Sequence, residues 1–254
     1  MLDWLDRSVA IVVAHPDDET IGVGAQLAHL RDPLIMHVTD GAPRRLGAAR
    51  EDYARTRREE LIAALRAGGA DSAQRRELGV ADQEASLNLT RVATMIEELL
   101  VGRRPEVVLT HPYEGGHPDH DATAFAVHAA LGMMKRKGAT VPLLSEFTSY
   151  HAGESGMVTE EFLAADGCEE TRLILTAEAR QRKQRMFDCF VSQSDMLRNF
   201  AVTCERFRAA PSYDFAKPPH EGQLFYDRFD WGMTASRWRD LAREALGLSA
   251  ARSA

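Results

Sequence analysis

The sequence contains few cysteines and no long hydrophobic run. Its 3 cysteines among 254 residues, Cys168, Cys189 and Cys204, are too few and too scattered for a disulfide framework or a cysteine-based zinc site. No apolar stretch approaches the ~18 residues that a membrane span requires. The acidic opening MLDWLDRS lacks the basic-then-apolar pattern of a secretory signal. We therefore expect reduced thiols, a cytoplasmic location and no membrane span.

Positive charge is also scarce. Lysine and arginine number 31 against 38 aspartates and glutamates, which gives a formal net charge of -7. Because nonspecific nucleic-acid binding requires a basic surface, we expect no nucleic-acid partner. The 44% hydrophobic and 27% charged content is typical of globular proteins, and no linker rich in proline, glycine or serine divides the chain.

Strands and helices alternate along the first 150 residues. Apolar runs rich in β-branched residues predict strands at 9–14, 34–39, 77–80, 107–110 and 143–149. Helical patterns lie at 20–30, 50–67, 87–101 and 119–135. This alternation predicts an α/β fold: a Rossmann-like, doubly wound, mostly parallel sheet with helices on both faces. Beyond residue 150 we expect an irregular C-terminal extension with strands at 172–175 and 224–229 and helices at 177–190 and 234–246.

Two polar clusters directly follow predicted strands. The cluster HPDDE, at 15–19, ends the first apolar run, and HPDH, at 117–120, lies in the loop after the strand at 107–110. In doubly wound sheets ligands bind at the carboxyl ends of the strands, so both clusters are expected at the same edge. Neighbouring carboxylates at the end of a buried strand are costly unless something compensates their charge.

These residue types suit a catalytic metal site. Adjacent side chains diverge, so His15 and Asp18 could bind one ion while Asp17 stays outside, and one imidazole of the second cluster, most simply His120, completes the set. Three protein ligands with an open fourth position are typical of catalytic zinc. The open position would hold a water of lowered pKa, whose proton a free carboxylate could take. The sequence therefore suits metal-assisted hydrolysis of an amide or ester.

The sequence AHPDDE, followed about a hundred residues later by HPDH, resembles the zinc de-N-acetylases of the PIG-L (LmbE-like) family. The resemblance extends to TRREEL at 56–61 and to an acidic residue after the third strand, and it covers roughly residues 9–150. It implies a single domain of this family over 1–254, with a core at 8–150 and a C-terminal part at 151–254 that shapes the substrate pocket. The role of the segment from Tyr150 to Gly222 is left open.

The resemblance also implies roles for the matched residues. The implied metal ligands are His15, Asp18 and His120, and the implied catalytic residues are Asp17, His117 and Asp119. Asp17 would be the general base. His117, as an imidazolium, would stabilise the oxyanion, and Asp119 would orient His117, although Asp119 could also be only a helix N-cap. The expected ion is Zn²⁺, and the same donors accept Fe²⁺, Co²⁺ and Ni²⁺.

Three further residues are candidate substrate contacts. Arg57 and Asp82 lie where relatives contact the sugar, and His220 lies in a loop after two prolines that could reach the site. The structural alternative for Arg57 is an ion pair with Glu60 or Glu51 on its own helix.

These expectations predict an enzyme that removes an N-acetyl or short N-acyl group from a small amino-sugar conjugate. The alternatives are the same metal site acting on a non-sugar amide or ester, and a sugar-binding protein without turnover. Gly22 and Gly24 do not complete a dinucleotide-binding G-x-G-x-x-G motif, because Leu27 takes the place of the third glycine. The aglycone and the oligomeric state are left open, a homo-oligomer included.

Overall fold

The computed structural model describes residues 4, 6–154 and 156–247. In this part of the chain the strands are β1 (Val9–Val13), β2 (Leu34–Pro43), β3 (Gln74–Asp82), β4 (Val107–Thr110), β5 (Leu143–Phe147), β6 (Tyr150–Ala152), β7 (Met157–Thr159), β8 (Glu170–Ile174) and β9 (Cys204–Ala209). The helices are α1 (Asp18–Val23), α2 (Arg50–Ala67), α3 (Leu89–Arg103), α4 (Pro118–Arg136), α5 (Ala177–Phe187), α6 (Ser194–Leu197) and α7 (Ala235–Ala245).

The main sheet has seven strands in the order β3-β2-β1-β4-β5-β9-β8. Strands β1 to β5 pair in parallel, whereas β9 and β8 continue the sheet antiparallel. The winding direction reverses between β1 and β4, since β2 and β3 lie on one side and β5 on the other. This reversal is the place where doubly wound sheets bind ligands, and the α/β prediction is confirmed.

Helices cover both faces of the sheet. Alternate residues of β1 point to opposite sides: Ala10 and Val12 pack with α3, α4 and α7, while Ile11 and Val13 pack with α2 and α5. Within the described residues, no helix combines the length and the apolar character that crossing a bilayer demands.

The helix predicted at 20–30 is interrupted. Helix α1 ends at Val23, and a separate 3-10 turn follows at Leu27–His29. The two nearby glycines serve close packing: a Cβ on Gly22 would lie 2.2 Å from the ring of Phe147. Gly22 therefore lets the end of β5 approach α1, which gives this glycine a structural reason unrelated to a nucleotide.

Two predictions in the C-terminal part were incomplete or wrong. The strand expected at 224–229 is a 3-10 turn at Phe225–Arg228, held where the Phe225 backbone N–H donates to the Gly115 carbonyl at 2.9 Å. Strand β9 was missed because its sequence, CERFRA, is rich in charge. Its buried charges are matched inside the fold: Glu205 accepts from Lys183 at 2.8 Å, and Arg208 donates to Glu146 at 3.0 Å.

Candidate active site

The carboxyl ends of β1 and β4 bring the two polar clusters together, as predicted. His15 and Asp18 follow β1, and His120 lies on the first turn of α4. Pro118 begins that helix, a position where its missing N–H costs nothing. The N-cap of the helix is His117, whose Nδ1 accepts a hydrogen bond from the Asp119 backbone N–H at 3.1 Å.

The three predicted ligand side chains form a triangle in which each Asp18 oxygen faces a different imidazole. His15 Nδ1 lies 3.3 Å from Asp18 Oδ2, His120 Nε2 lies 3.3 Å from Asp18 Oδ1, and the two imidazole nitrogens are 3.3 Å apart. A tetrahedral ion with bonds of about 2.0–2.1 Å places its donor atoms about 3.3–3.4 Å apart. The residues present therefore fit a small divalent cation.

Each imidazole of the triangle is oriented through its other nitrogen. His15 Nε2 lies 3.0 Å from Asp82 Oδ1 and 3.4 Å from Asp119 Oδ2. His120 Nδ1 lies 3.1 Å from Ser149 Oγ, so it can donate to the hydroxyl while Nε2 stays free for an ion. Metal-bound histidines commonly have such partners. Ser149 was missed, although its position just after β5 places it at the same edge of the sheet.

His111 lies beneath the triangle. Its Nε2 accepts from the Ala14 backbone N–H at 3.1 Å and is 3.3 Å from Asp18 Oδ2. The ring stacks on His120 with centroids 4.1 Å apart. Burial and the neighbouring His120 lower the pKa of His111 to about 4, so the ring is neutral. His111 thus packs behind two expected ligands and narrows their freedom to move.

Asp17 is held in an unusual backbone conformation. Its φ of 140° is rare for any residue other than glycine, and its backbone N–H donates to Glu19 Oε2 at 3.1 Å. Arg57 donates to Asp17 Oδ2 at 3.1 Å and to the Pro16 carbonyl at 2.7 Å. Burial raises the pKa of Asp17 to about 8, although Arg57 opposes the shift. Arg57 therefore pairs with the expected base, while Glu60 accepts from the Ser192 backbone and hydroxyl.

The surroundings of His117 differ from the expectation. Burial, followed by the charge of His15, lowers the pKa of His117 well below its ordinary value. His117 is therefore a neutral imidazole at neutral pH, not the imidazolium that was expected. Because Nδ1 accepts from the Asp119 N–H, the ring proton is assigned to Nε2.

The Asp119 carboxylate also has a different partner from the one expected. It accepts from the backbone N–H groups of Gln83 and Ala85 at 2.6 Å and 3.0 Å and lies against His15. Its link to His117 runs through its backbone N–H instead. The reason is geometric: as the second residue of α4, Asp119 turns its side chain towards the end of β3, where Asp82 also meets His15.

Three carboxylates surround His15 and change its protonation. Burial disfavours the imidazolium, but hydrogen bonds with Asp119, Asp18 and Asp82 outweigh it and raise the pKa of His15 well above its ordinary value. Burial opposes ionisation of Asp82, yet contact with His15 lowers the pKa of Asp82. A proton on His15 would thus compete with a metal ion, and metal affinity should weaken as the pH falls.

The cluster opens into a cavity of about 520 Å³. The predicted site residues that line it are His15, Asp17, Asp18, Arg57, Asp82, His117 and His120. His220 is not among the described lining residues: its Nδ1 lies 2.7 Å from the neighbouring Glu221 carbonyl. The chain lines the cavity further along, through Phe225, Phe229 and Trp231, and a substrate contact of His220 stays a prediction.

The α/β fold and the cluster of expected metal-binding side chains agree with a match to a family model. Residues 10–131 match the PIG-L family, described as GlcNAc-PI de-N-acetylase. Over these residues the chain is similar to members of the PIG-L family.

Two curated relatives are similar to the same extent. A probable N-acetyl-alpha-D-glucosaminyl L-malate deacetylase 2 of Bacillus subtilis (strain 168) is 32% identical over 52% of this chain and 64% of its own length. A 1D-myo-inositol 2-acetamido-2-deoxy-alpha-D-glucopyranoside deacetylase of Mycobacterium sp. (strain KMS) is 32% identical over 52% of both chains. The chain thus spans less than two thirds of the length of the curated relatives it matches.

Solved structures share the fold at lower identity. A deacetylase of the teicoplanin biosynthesis pathway aligns with a TM-score of 0.60 at 19% identity, over 82% of this chain and 99% of that one. A 4-carboxy-2-hydroxymuconate hydratase of Pseudomonas putida KT2440 aligns with a TM-score of 0.55 at 19% identity, over 82% of this chain and 98% of that one. Since this fold occurs in both a deacetylase and a hydratase, the reaction has to be argued from the site.

Proposed function

We propose that this chain is a metal-dependent N-deacetylase that removes an acetyl or short acyl group from a small amino-sugar conjugate. The observation that carries the proposal is the triangle of side chains His15, Asp18 and His120. The two imidazole nitrogens lie 3.3 Å apart, each lies 3.3 Å from a different Asp18 oxygen, and Asp17 lines the same cavity. The names of both curated relatives, which are deacetylases of amino-sugar compounds, support the substrate class.

The proposed ion is Zn²⁺, held by two imidazoles and a carboxylate. When bound, such an ion polarises an amide carbonyl and lowers the pKa of a water molecule. Fe²⁺, Co²⁺ and Ni²⁺ also accept these donors, and one structure of similar fold is described as the zinc-inhibited form of a teicoplanin deacetylase. Reconstitution with each ion separately, followed by acetate release, decides between them.

Asp17 takes the role of proton acceptor in this proposal. Its carboxylate accepts the proton of the attacking water and can return it to the leaving nitrogen as the amide C–N bond breaks. Arg57 holds both the carboxylate and the preceding carbonyl, so the base has little freedom to turn away. If Asp18 held a divalent cation, the nearby positive charge would lower the raised pKa of Asp17 and favour the ionised form that a base requires.

His117 is proposed as a neutral hydrogen-bond donor. Its Nε2–H donates to the carbonyl oxygen of the amide as negative charge develops there. One ring nitrogen of His117 also lies within 4.8 Å of ring nitrogens of His15 and His120. These three imidazoles are therefore an alternative set of metal ligands. We favour Asp18 as the third ligand because each of its oxygens faces one of the other two donors at 3.3 Å.

The experiment that tests the proposal measures acetate release by the metal-loaded protein from N-acetylated amino sugars, N-acyl amino acids and esters. We expect turnover of the amino-sugar amides. Turnover confined to non-sugar amides or esters would keep the metal site and replace the substrate class. Substrate bound and recovered unchanged would indicate a sugar-binding protein and refute the enzyme.

Other expectations from the sequence stay predictions. These are a single domain over 1–254, a cytoplasmic location and the lack of a nucleic-acid partner.

A further inference from the structure

A continuous band of aromatic rings borders the expected metal site. The rings of Tyr150, Phe225, Phe229 and Trp231, here called the aromatic wall, follow one another with centroids 5.5, 5.2 and 4.6 Å apart. Both ends of the wall touch the site: Tyr150 lies 5.2 Å from the His120 ring and Trp231 lies 4.8 Å from the His117 ring. The wall is thus continuous with the residues expected to hold the scissile amide.

One ring within the wall is open to solvent. The Phe229 side chain is 42% exposed, although it stacks on Trp231 with the ring planes only 9° apart. Exposed aromatic rings beside a site indicate a partner that covers them.

The Tyr150 end of the wall is held close to the site. A Cβ on Gly116 would meet the Tyr150 carbonyl at 1.9 Å, so this glycine lets the Tyr150 segment approach the loop before His117.

The rest of the lining indicates what kind of partner this is. Ile21, Met157 and Met196 line the same cavity. Among the described lining residues the cations are Arg57, which is paired with Asp17, and Arg45, which donates to Gln83. Gln83 is neutral and does not cancel the charge of Arg45, whereas an apolar group on the substrate finds ring faces and thioethers.

The wall also lies outside the part of the chain that the family model covers. Tyr150, Phe225, Phe229 and Trp231 all follow residue 131, where the family match ends. The ligand triangle and the base lie within the match.

We propose that the aromatic wall binds an aromatic aglycone of the amino-sugar substrate. This inference rests on the proposed deacetylase function, which places the amide at the buried end of the cavity and the aglycone towards its mouth. Phe229 is the specificity-determining residue, because it is the most exposed ring of the wall and contacts two of its members. The aglycone ring packs against its face.

The kinetic test uses metal-loaded protein and two probes, the methyl and phenyl β-glycosides of N-acetylglucosamine. We expect kcat/KM for acetate release to be roughly three- to tenfold higher for the phenyl glycoside. Phe229→Ala should remove this preference and Phe229→Trp should keep it. Ile174→Ala, which truncates a side chain 62% exposed on the edge strand β8, should leave the preference unchanged. Equal kcat/KM for the two glycosides, or an undiminished preference in Phe229→Ala, would overturn the proposal.

A binding measurement separates failure of this inference from failure of the enzyme. Methyl and phenyl β-D-glucopyranoside lack the amide, so their affinity, read from tryptophan fluorescence, does not depend on hydrolysis. If the phenyl glycoside binds more tightly than the methyl glycoside, and Phe229→Ala abolishes this difference, the result supports the wall. This holds even if no probe is deacetylated, and then only the proposed function fails. Equal affinities overturn the wall whatever the turnover. In the kinetic assay, a kcat/KM that rises with the length of the N-acyl chain but does not depend on the aglycone would also overturn the proposal for the wall.

Discussion

Replacing the expected base with its neutral isostere should increase stability while removing activity. Asp17 is buried, and burial raises its pKa to about 8, from an ordinary value near 3.8. In the metal-free protein at pH 7 the folded state therefore holds a proton that the unfolded chain has released. For each pH unit above the ordinary pKa, this retained proton lowers the free energy of unfolding by about 1.4 kcal/mol. At pH 7 the loss is on the order of 4 kcal/mol.

Asp17→Asn removes this penalty, because an amide does not ionise in either state. The sign follows from the direction of the shift: a raised acid pKa makes the wild type less stable as the pH rises from about 4 to about 8. The free energy of unfolding of the variant should therefore exceed that of the metal-free wild type by about 1–2 kcal/mol at pH 5 and by a few kcal/mol at pH 7. Turnover should fall by about 10²–10⁴-fold, since proton abstraction is lost.

The assay is urea unfolding of metal-free protein at pH 5 and pH 7, with acetate release measured on metal-loaded protein. Asp71→Asn, at an exposed position, is the matched control and should show no such pH-dependent gain. A stability difference between Asp17→Asn and wild type that is the same at both pH values would refute the reasoning about burial. Near-wild-type turnover of the variant would refute Asp17 as the base.

Three further predictions follow from particular contacts. Lys183→Met leaves the buried Glu205 carboxylate without its 2.8 Å partner and should destabilise the protein by about 3–5 kcal/mol in urea unfolding; a loss under about 1 kcal/mol would contradict this. Ser149→Ala removes the partner of His120 Nδ1 and should weaken metal affinity about 10–100-fold in a chelator competition, whereas an unchanged affinity would show that the hydroxyl does not orient the ligand. His117→Ala should lower kcat about 10²–10³-fold with the ion retained, and loss of the ion would instead make His117 a ligand.

The sequence sufficed for the fold and for the residues at the sheet edge. His15, Asp18 and His120 could be placed together because strand ends in a parallel sheet converge, a rule that depends only on the order of strands and helices. Arg57 and Asp82 lie at the site as expected, although their contacts are with Asp17 and His15.

The features that escaped prediction depend on pairing between distant segments. The charges of β9 resemble those of an exposed strand until Lys183 and Glu146 are placed against them. The protonation of His117 depends on burial and on neighbouring His15, neither of which the local sequence reveals. The wall also uses Phe229, which lies 109 residues beyond His120, with no periodic pattern to connect them.

The central claim is that one ion is held by residues from two distant segments, and metal analysis tests it most directly. Wild-type protein, reconstituted and then freed of loosely bound metal, should retain one divalent ion per chain by elemental analysis. His15→Ala and His120→Ala should each lose that ion, while His29→Ala, at an exposed position, should keep it. Full occupancy in either ligand variant, or a wild type that retains none of the four candidate ions, would contradict the account.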